Sequence, residues 1–178
     1  MKKNKNVSPL ITQIIDCLSG CMKFTTLDIR WGYNNIRIKE GDEWKGAFLT
    51  PEGLFKPTVM FFGLTNSPTT FQTMMNVIFR QEVGEGWLSV YMDDMAIHTA
   101  RLPHETEEQH TQRHCTYVHR VLTKLEENNL YLKPEKCEFE KEEIKYLGVI
   151  VGKSHLKMST KELQGIADWL VPKTPTDV

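Results

Sequence analysis

Ile11, Ile14, Ile15 and Leu18 are spaced as one face of a helix. Ser8-Pro9, just ahead, offers a cap and a proline suited to the first helical position. Gly20 ends that helix. From Lys23 to Ile29 the pattern changes: Phe24, Thr26 and Asp28 alternate against Thr25, Leu27 and Ile29, which predicts a strand with Asp28 near its C-terminal end. Two more strands are predicted over 35–39 and 45–50, with Gly41 and Pro51-Glu52-Gly53 as punctuation. Asn66-Ser67-Pro68 opens a second helix whose stripe is Phe71, Met74, Met75, Ile78 and Phe79, and Gly84 and Gly86 stop it.

Short β-like runs over 87–91 and 95–99 flank Met92-Asp93-Asp94, a spacing that predicts a tight hairpin with acid at its tip. A long helix over 105–128 carries Val118, Val121, Leu122 and Leu125 on one face. Strands follow over 137–139 and 144–151, then a last helix over 160–170. There is no repeat or low-complexity tract, and the elements lack a regular βαβ rhythm. The expected class is α+β, with helices on one face of a largely antiparallel sheet.

Composition narrows the function classes only a little. At 178 residues, 40% hydrophobic and 25% charged, the chain is long enough for one domain with a real core, and its balance argues against disorder or membrane spanning. Lys2, Lys3 and Lys5 precede no signal-type apolar stretch, so an intracellular location, cytoplasm or nucleus, is expected. Cys17, Cys21, Cys115 and Cys137 form no CxxC pair and read as reduced thiols. With 22 Lys+Arg against 23 Asp+Glu, any binding of nucleic acid must rest on local basic patches.

The candidate chemistry is acidic. Neighbouring strands lie about 5 Å apart, so Asp28 and Asp93 can face one site, and Asp94 can join them if the chain turns there. Hard carboxylate oxygens suit Mg²⁺ or Mn²⁺, and two such ions roughly 3.5 to 4 Å apart serve in-line phosphoryl transfer. On its own, an Asp-Asp pair in a loop is ordinarily just a solvated turn.

The residues around these acids resemble reverse transcriptases, in particular those of Gypsy-type LTR retrotransposons. The resemblance is carried by Phe24-Thr25-Thr26-Leu27-Asp28-Ile29-Arg30-Trp31-Gly32-Tyr33, by Gly63-Leu64-Thr65-Asn66-Ser67-Pro68 with Phe71-Gln72, and by Tyr91-Met92-Asp93-Asp94. Leu132-Lys133-Pro134-Glu135-Lys136-Cys137-Glu138-Phe139 and Tyr146-Leu147-Gly148 resemble the motifs that follow. Phe61 stands where relatives usually have proline.

The resemblance implies the palm of a right-hand polymerase with a ferredoxin-like sheet over 1–155, a partial fingers insertion at about 38–61 and the start of a thumb over 156–178. It implies addition of dNTPs to a primer 3′-hydroxyl on an RNA or DNA template, with two Mg²⁺ ions, or Mn²⁺, as cofactors. Asp28 and Asp93 would be the main ligands, with the Ile29 carbonyl as a further oxygen and Asp94 as a tuning carboxylate. Trp31 and Gly32 would offer backbone N–H groups to the triphosphate, and Tyr33 would exclude a 2′-hydroxyl. Phe62 and Gly63 match nucleotide contacts, and Lys136 a cation near the leaving pyrophosphate. Gln72, Tyr91, Met92, Tyr146, Leu147 and Gly148 match template and primer contacts. The missing fingers, thumb, RNase H and integrase regions would belong to a longer polyprotein. An inert retroelement remnant is the competing reading; a viral RNA-dependent polymerase would call for a small polar residue at Tyr33.

Other groupings point to bland roles. His110 and His114 share a helix face near Cys115 and His119, but Cys115 turns about 100° away from His114, so zinc is not expected. Cys17 and Cys21 read as isolated thiols. Lys133, Lys136, Lys141 and Lys145 interleave with Glu135, Glu138, Glu140, Glu142 and Glu143, the pattern of a solvated face.

Overall fold

In the computed structural model, which describes residues 9–153 and 155–158, the chain is organised around the strand that carries Asp28. Helix α1 (Ile11–Leu18) leads into β1 (Lys23–Asp28). A small hairpin, β2 (Phe48–Thr50) and β3 (Gly53–Phe55), precedes α2 (Ser67–Ile78) and the short α3 (Arg80–Gly84). Then come β4 (Leu88–Tyr91), β5 (Asp94–Thr99), α4 (Glu107–Glu127), β6 (Glu138–Lys141), β7 (Glu143–Tyr146), β8 (Val149–Gly152) and β9 (His155–Met158). The helix expected over 160–170 lies outside the described residues.

The main sheet has the order β4-β5-β1-β6 with every neighbouring pair antiparallel. With α2 between β1 and β4, and α4 between β5 and β6, this is the β-α-β-β-α-β arrangement of a ferredoxin-like sheet. Period-two alternation sends alternate side chains of β1 to opposite layers. Leu27 and Ile29 join Met95 and Ile97 against Phe71 and Met75 of α2 and Val118, Val121 and Leu125 of α4. Phe24 and Ala96 face the other way, onto Ile14 and Leu18 of α1 and Ile144, Tyr146 and Val151 of a second sheet, β7-β8-β9. The single helical layer expected from the pattern holds for α2 and α4 only, because both faces of β1 are apolar enough to need cover.

Helix α4 begins in a reciprocal cap: the Gln109 N–H donates to Thr106 Oγ1 (3.2 Å) and the Thr106 N–H to Gln109 Oε1 (2.8 Å). Such a box is typically worth ~1 kcal/mol. Its buried face is partly polar. His114 lies between Thr25 Oγ1 (2.9 Å) and Thr99 Oγ1 (3.0 Å), and His110 Nε2 meets the same Thr99 hydroxyl at 2.9 Å. At the helix's other end, Lys124 donates to the buried Glu82 (2.8 Å) and to the Ile78 carbonyl (3.1 Å), tying α2 and α3 to α4.

Several sequence expectations need correction. Helix α1 starts at Ile11 with Leu10 as its N-cap, leaving Pro9 outside the helix. The strand expected over 35–39 reduces to a single bridge between Arg37 and Val59, since no longer partner lies beside it. Of 45–50 only β2 is extended; Glu43–Gly46 is a 3-10 turn, and β3 forms where only a turn was expected. The run over 144–151 is two strands, because Leu147 (φ 49) and Gly148 (φ 85) both take left-handed geometry and make a two-residue hairpin turn between Tyr146 and Val149.

Candidate active site

In the antiparallel register of β1 and β5, Asp28 stands opposite Asp94 at the end of the sheet, on the face turned away from α2 and α4. Paired residues across such strands have Cα atoms about 4.5 to 5.5 Å apart. Between β4 and β5 the chain reverses through Met92 and Asp93 alone, with Tyr91 paired to Asp94. The Asp93 carbonyl accepts the Ile29 N–H at 3.0 Å, so the hairpin tip docks directly on the end of β1. Asp28 and the adjacent pair Asp93-Asp94, far from it in sequence, therefore share one corner of the sheet.

The turn is held from below. Met92 has φ 55, a left-handed value that side chains other than glycine rarely take. Its N–H donates to Gln72 Oε1 at 2.7 Å, while Gln72 Nε2 donates to the Val90 carbonyl (3.2 Å) and to Asn76 (2.9 Å). Gln72 is only 3% exposed. Its amide, expected from the resemblance at a template contact, is hydrogen-bonded to the hairpin here and supports the turn at Met92. The Tyr33 hydroxyl donates to Met92 Sδ at 3.7 Å, and its ring packs against Phe62 (centroids 4.8 Å) and Phe71 (5.9 Å). Burial, then the nearby Asp93 charge, raises the Tyr33 phenol above its ordinary value.

Beside Tyr33 the backbone is tight. Trp31 is left-handed (φ 52), and a Cβ at Gly32 would come within 3.1 Å of the Phe71 ring. Gly32–Asn35 is a 3-10 turn, whose first N–H groups have no acceptor inside the turn. Trp31 is exposed, with the Arg30 guanidinium 4.4 Å over its ring. Phe62 is exposed too, and Gly63 follows with φ 104.

The charge balance of the acids differs from the sequence expectation. Lys133 Nζ lies 2.6 Å from Asp28 Oδ1 and Lys136 Nζ 3.3 Å from Asp28 Oδ2, so two lysines assigned to a solvated face are the counter-ions of the first acid. No spacing signal could reveal Lys133. It reaches Asp28 because the segment after α4 lies along β1, with Arg30 N–H to Tyr131 carbonyl at 2.7 Å and Lys133 N–H to Asp28 carbonyl at 2.9 Å. Its hydrogen bond to Asp28 raises the Lys133 ammonium above the usual lysine range, with the charges of Asp28, Asp93 and Asp94 adding to the rise and desolvation opposing it. Although Asp94 as a residue remains open to solvent, desolvation of its carboxyl, then the charges of Asp93 and Asp28, raise it above the carboxylate range; Lys136 and Lys133 pull it back.

A cleft of about 250 Å³ opens beside the acids, lined by Asp28, Asp94, Lys136, Tyr146, Leu147 and Gly148 among others. Tyr146 forms its buried wall, donating to the Asp94 carbonyl at 3.0 Å, and burial followed by the Asp94 charge raises its phenol. A larger cleft of about 850 Å³ lies between Trp31, Leu125 and Tyr131, but none of the three acids lines it. Among the described residues no three acidic, imidazole or thiol groups stand gathered as a ready cage for a metal. The donor chemistry, carboxylates at two adjoining strand ends, still suits a hard divalent cation.

This sheet order, with acids at the end of its central strands, defines a polymerase-type palm. The chain belongs to the reverse transcriptase (RNA-dependent DNA polymerase) family, whose model matches residues 2–151. The Transposon Tf2-3 polyprotein of Schizosaccharomyces pombe is 33% identical over 173 residues, 97% of this chain and 12% of that protein, and the Tf2-7 polyprotein matches to the same extent. The chain thus spans about an eighth of the length of these relatives. Among solved structures, the foamy viral protease-reverse transcriptase in complex with RNA/DNA hybrid superposes with a TM-score of 0.82 at 19% identity, covering 99% of this chain and 22% of that one. The dRH form in complex with ds DNA gives 0.85 at 19% identity, covering 99% and 29%. At this identity the likeness bears on the fold alone. No helix among the described residues is long and apolar enough to cross a membrane.

Proposed function

We propose that this chain is the palm of a reverse transcriptase and that it transfers deoxynucleotides to a primer 3′-hydroxyl on an RNA or DNA template. The observation that carries the reading is the register pair Asp28 and Asp94 with the Asp93 turn docked on Ile29. Asp28, Asp93 and Asp94, with the Ile29 carbonyl, would hold two Mg²⁺ or Mn²⁺ ions. Such ions would supply activation of the attacking hydroxyl and charge stabilisation at the leaving oxygen. Tyr33, packed at a tilt against Phe62 and braced edge-on by Phe71, would bound the place of the sugar and narrow it against a 2′-hydroxyl. The backbone at Trp31 and Gly32 presents N–H groups to anionic oxygens. Lys136, more than half exposed, is free to swing from Asp28 toward a departing pyrophosphate. The Tyr146-Leu147-Gly148 turn lines the cleft where a primer end would lie, and Tyr91 and Met92 lead into the acid-bearing turn next to it. Related chains in complex with RNA/DNA hybrid and ds DNA support nucleic acid as the partner.

The test is primer extension with Mg²⁺ and dNTPs on the purified chain and on the same chain joined to its flanking polyprotein regions. Asp28→Asn and Asp93→Asn should each bring incorporation to background, a loss of at least about a thousand-fold for a metal ligand. Extension that survives both changes removes the mechanism. A second reading, an inert remnant, draws on the two ammonium groups engaging Asp28 in place of a gathered metal cage. Incorporation above background by the unsubstituted protein excludes it.

A further inference from the structure

Lys133 and Lys136 approach the same carboxylate in different ways. Lys136 sits on the 3-10 turn Pro134–Lys136, with a side chain 59% exposed and 3.3 Å from Asp28 Oδ2. Lys133 is closer, 2.6 Å from Asp28 Oδ1, and its side chain is 24% exposed against 14% for Asp28. Its main chain is bonded to the same residue, Lys133 N–H to Asp28 carbonyl at 2.9 Å, and the next rung is Arg30 N–H to Tyr131 carbonyl at 2.7 Å. The Lys133 ammonium is therefore held over Asp28 at both ends of the side chain, whereas Lys136 meets Asp28 through its exposed ammonium alone, its own N–H donating to the Lys133 carbonyl at 3.0 Å.

A divalent cation needs the lone pairs of the carboxylate oxygens it binds. An ammonium group 2.6 Å from one of them already uses those lone pairs as a hydrogen-bond acceptor. We propose that Lys133 is a built-in stand-in for the metal: it neutralises Asp28 while the acid corner is empty of cations, must leave Oδ1 before an ion can bind there, and so sets the divalent concentration the site requires. Lys133 is a positioning residue in this account. The inference rests on the reading that Asp28 is a metal ligand, and it adds a determinant of affinity which that reading does not contain.

Mn²⁺ titration without nucleotide, followed by the EPR signal of the free ion, tests it. Lys133→Met keeps the stem and removes the charge, and should bind Mn²⁺ about five-fold more tightly than the unsubstituted chain, the scale of one partly exposed ion pair. Lys133→Arg should bind as the unsubstituted chain does, and Asp28→Asn should lose the site. Equal or weaker binding by Lys133→Met, with Asp28→Asn still defective, overturns the role of Lys133 and leaves the carboxylate reading standing. Binding indifferent to Asp28→Asn overturns both. A measurement on the unsubstituted protein guards against a misfolded variant: in ¹⁵N-lysine NMR, Mg²⁺ should shift the Lys133 ammonium signal and speed its exchange with water. An unmoved Lys133 signal under saturating Mg²⁺ overturns the proposal.

Discussion

Gln72 shows how one side chain can hold an acid-bearing turn from beneath. Its amide oxygen takes the N–H of a left-handed Met92 and its amide nitrogen bonds the Val90 carbonyl, so the β4 side of the acid-bearing turn hangs on one residue of α2. Gln72→Ala should destabilise the protein by about 1–3 kcal/mol, since it strips the partners from two backbone groups in a partly buried place. Urea denaturation measures this, and a change within about 0.5 kcal/mol of the unsubstituted chain would mean that the turn holds itself. The family motif identified Gln72 as a site residue. Its bonds to the hairpin stayed hidden, because they depend on which strand lies under the helix.

Among the elements, those with strong local patterning stand close to where the sequence put them. The stripe on α2 is buried at Phe71 and Met75, and the alternation around β1 holds through Leu27 and Ile29. The stripe on α4 extends further than its apolar residues suggest, since His110 and His114 continue it as buried polar members. Weak elements, such as the expected strand over 35–39, shrink where pairing stops at a single bridge. The join between α3 and α4 is electrostatic: the buried Glu82 meets Lys124, while Arg120 Nε stands 2.8 Å from its other oxygen without the angle of a hydrogen bond. Burial works to raise the Glu82 carboxyl, yet the Lys124 hydrogen bond and the two cations hold it below the usual range. Lys124→Ala should therefore cost about 2–3 kcal/mol, somewhat less than complete loss of a buried pair because Arg120 remains. Arg120→Ala should cost clearly less in the same denaturant titration, and the reverse order would show that Lys124 is not the main support.

At the scale of the whole molecule, three buried imidazoles line the main sheet on both faces. His98 lies on the α1 side between Ser89 Oγ (3.0 Å) and Cys21 Sγ (3.5 Å), and His110 and His114 lie under α4. Burial, then the charge of His114, lowers His98 to about 4; burial, then His110, lowers His114 to about 4. Unfolded imidazoles take up protons around pH 6.5, so between about 6.5 and about 4 the unfolded chain binds more protons than the folded one. Stability is full above that window and should fall as pH drops through it, by ~2 kcal/mol per imidazole at pH 5. Urea denaturation at pH 7 and pH 5 should show the loss, and His114→Gln should make it smaller. An equal pH dependence in both proteins would mean that His114 does not titrate on unfolding.

The fold class, the hairpin with acid at its tip, the reverse transcriptase family and the meeting of Asp28 with the Asp93-Asp94 turn were legible in the chain, because period and turn chemistry are local and motifs are contiguous. Three things were decided only by the tertiary structure: the second layer over β1, the turn support from Gln72, and the capture of Asp28 by Lys133. Each of these depends on which backbone edges lie side by side. Asp28 and Lys133 are 105 positions apart, and only the pairing of the segment after α4 with β1 converts an ordinary surface lysine into the counter-ion of an acid at the heart of the site.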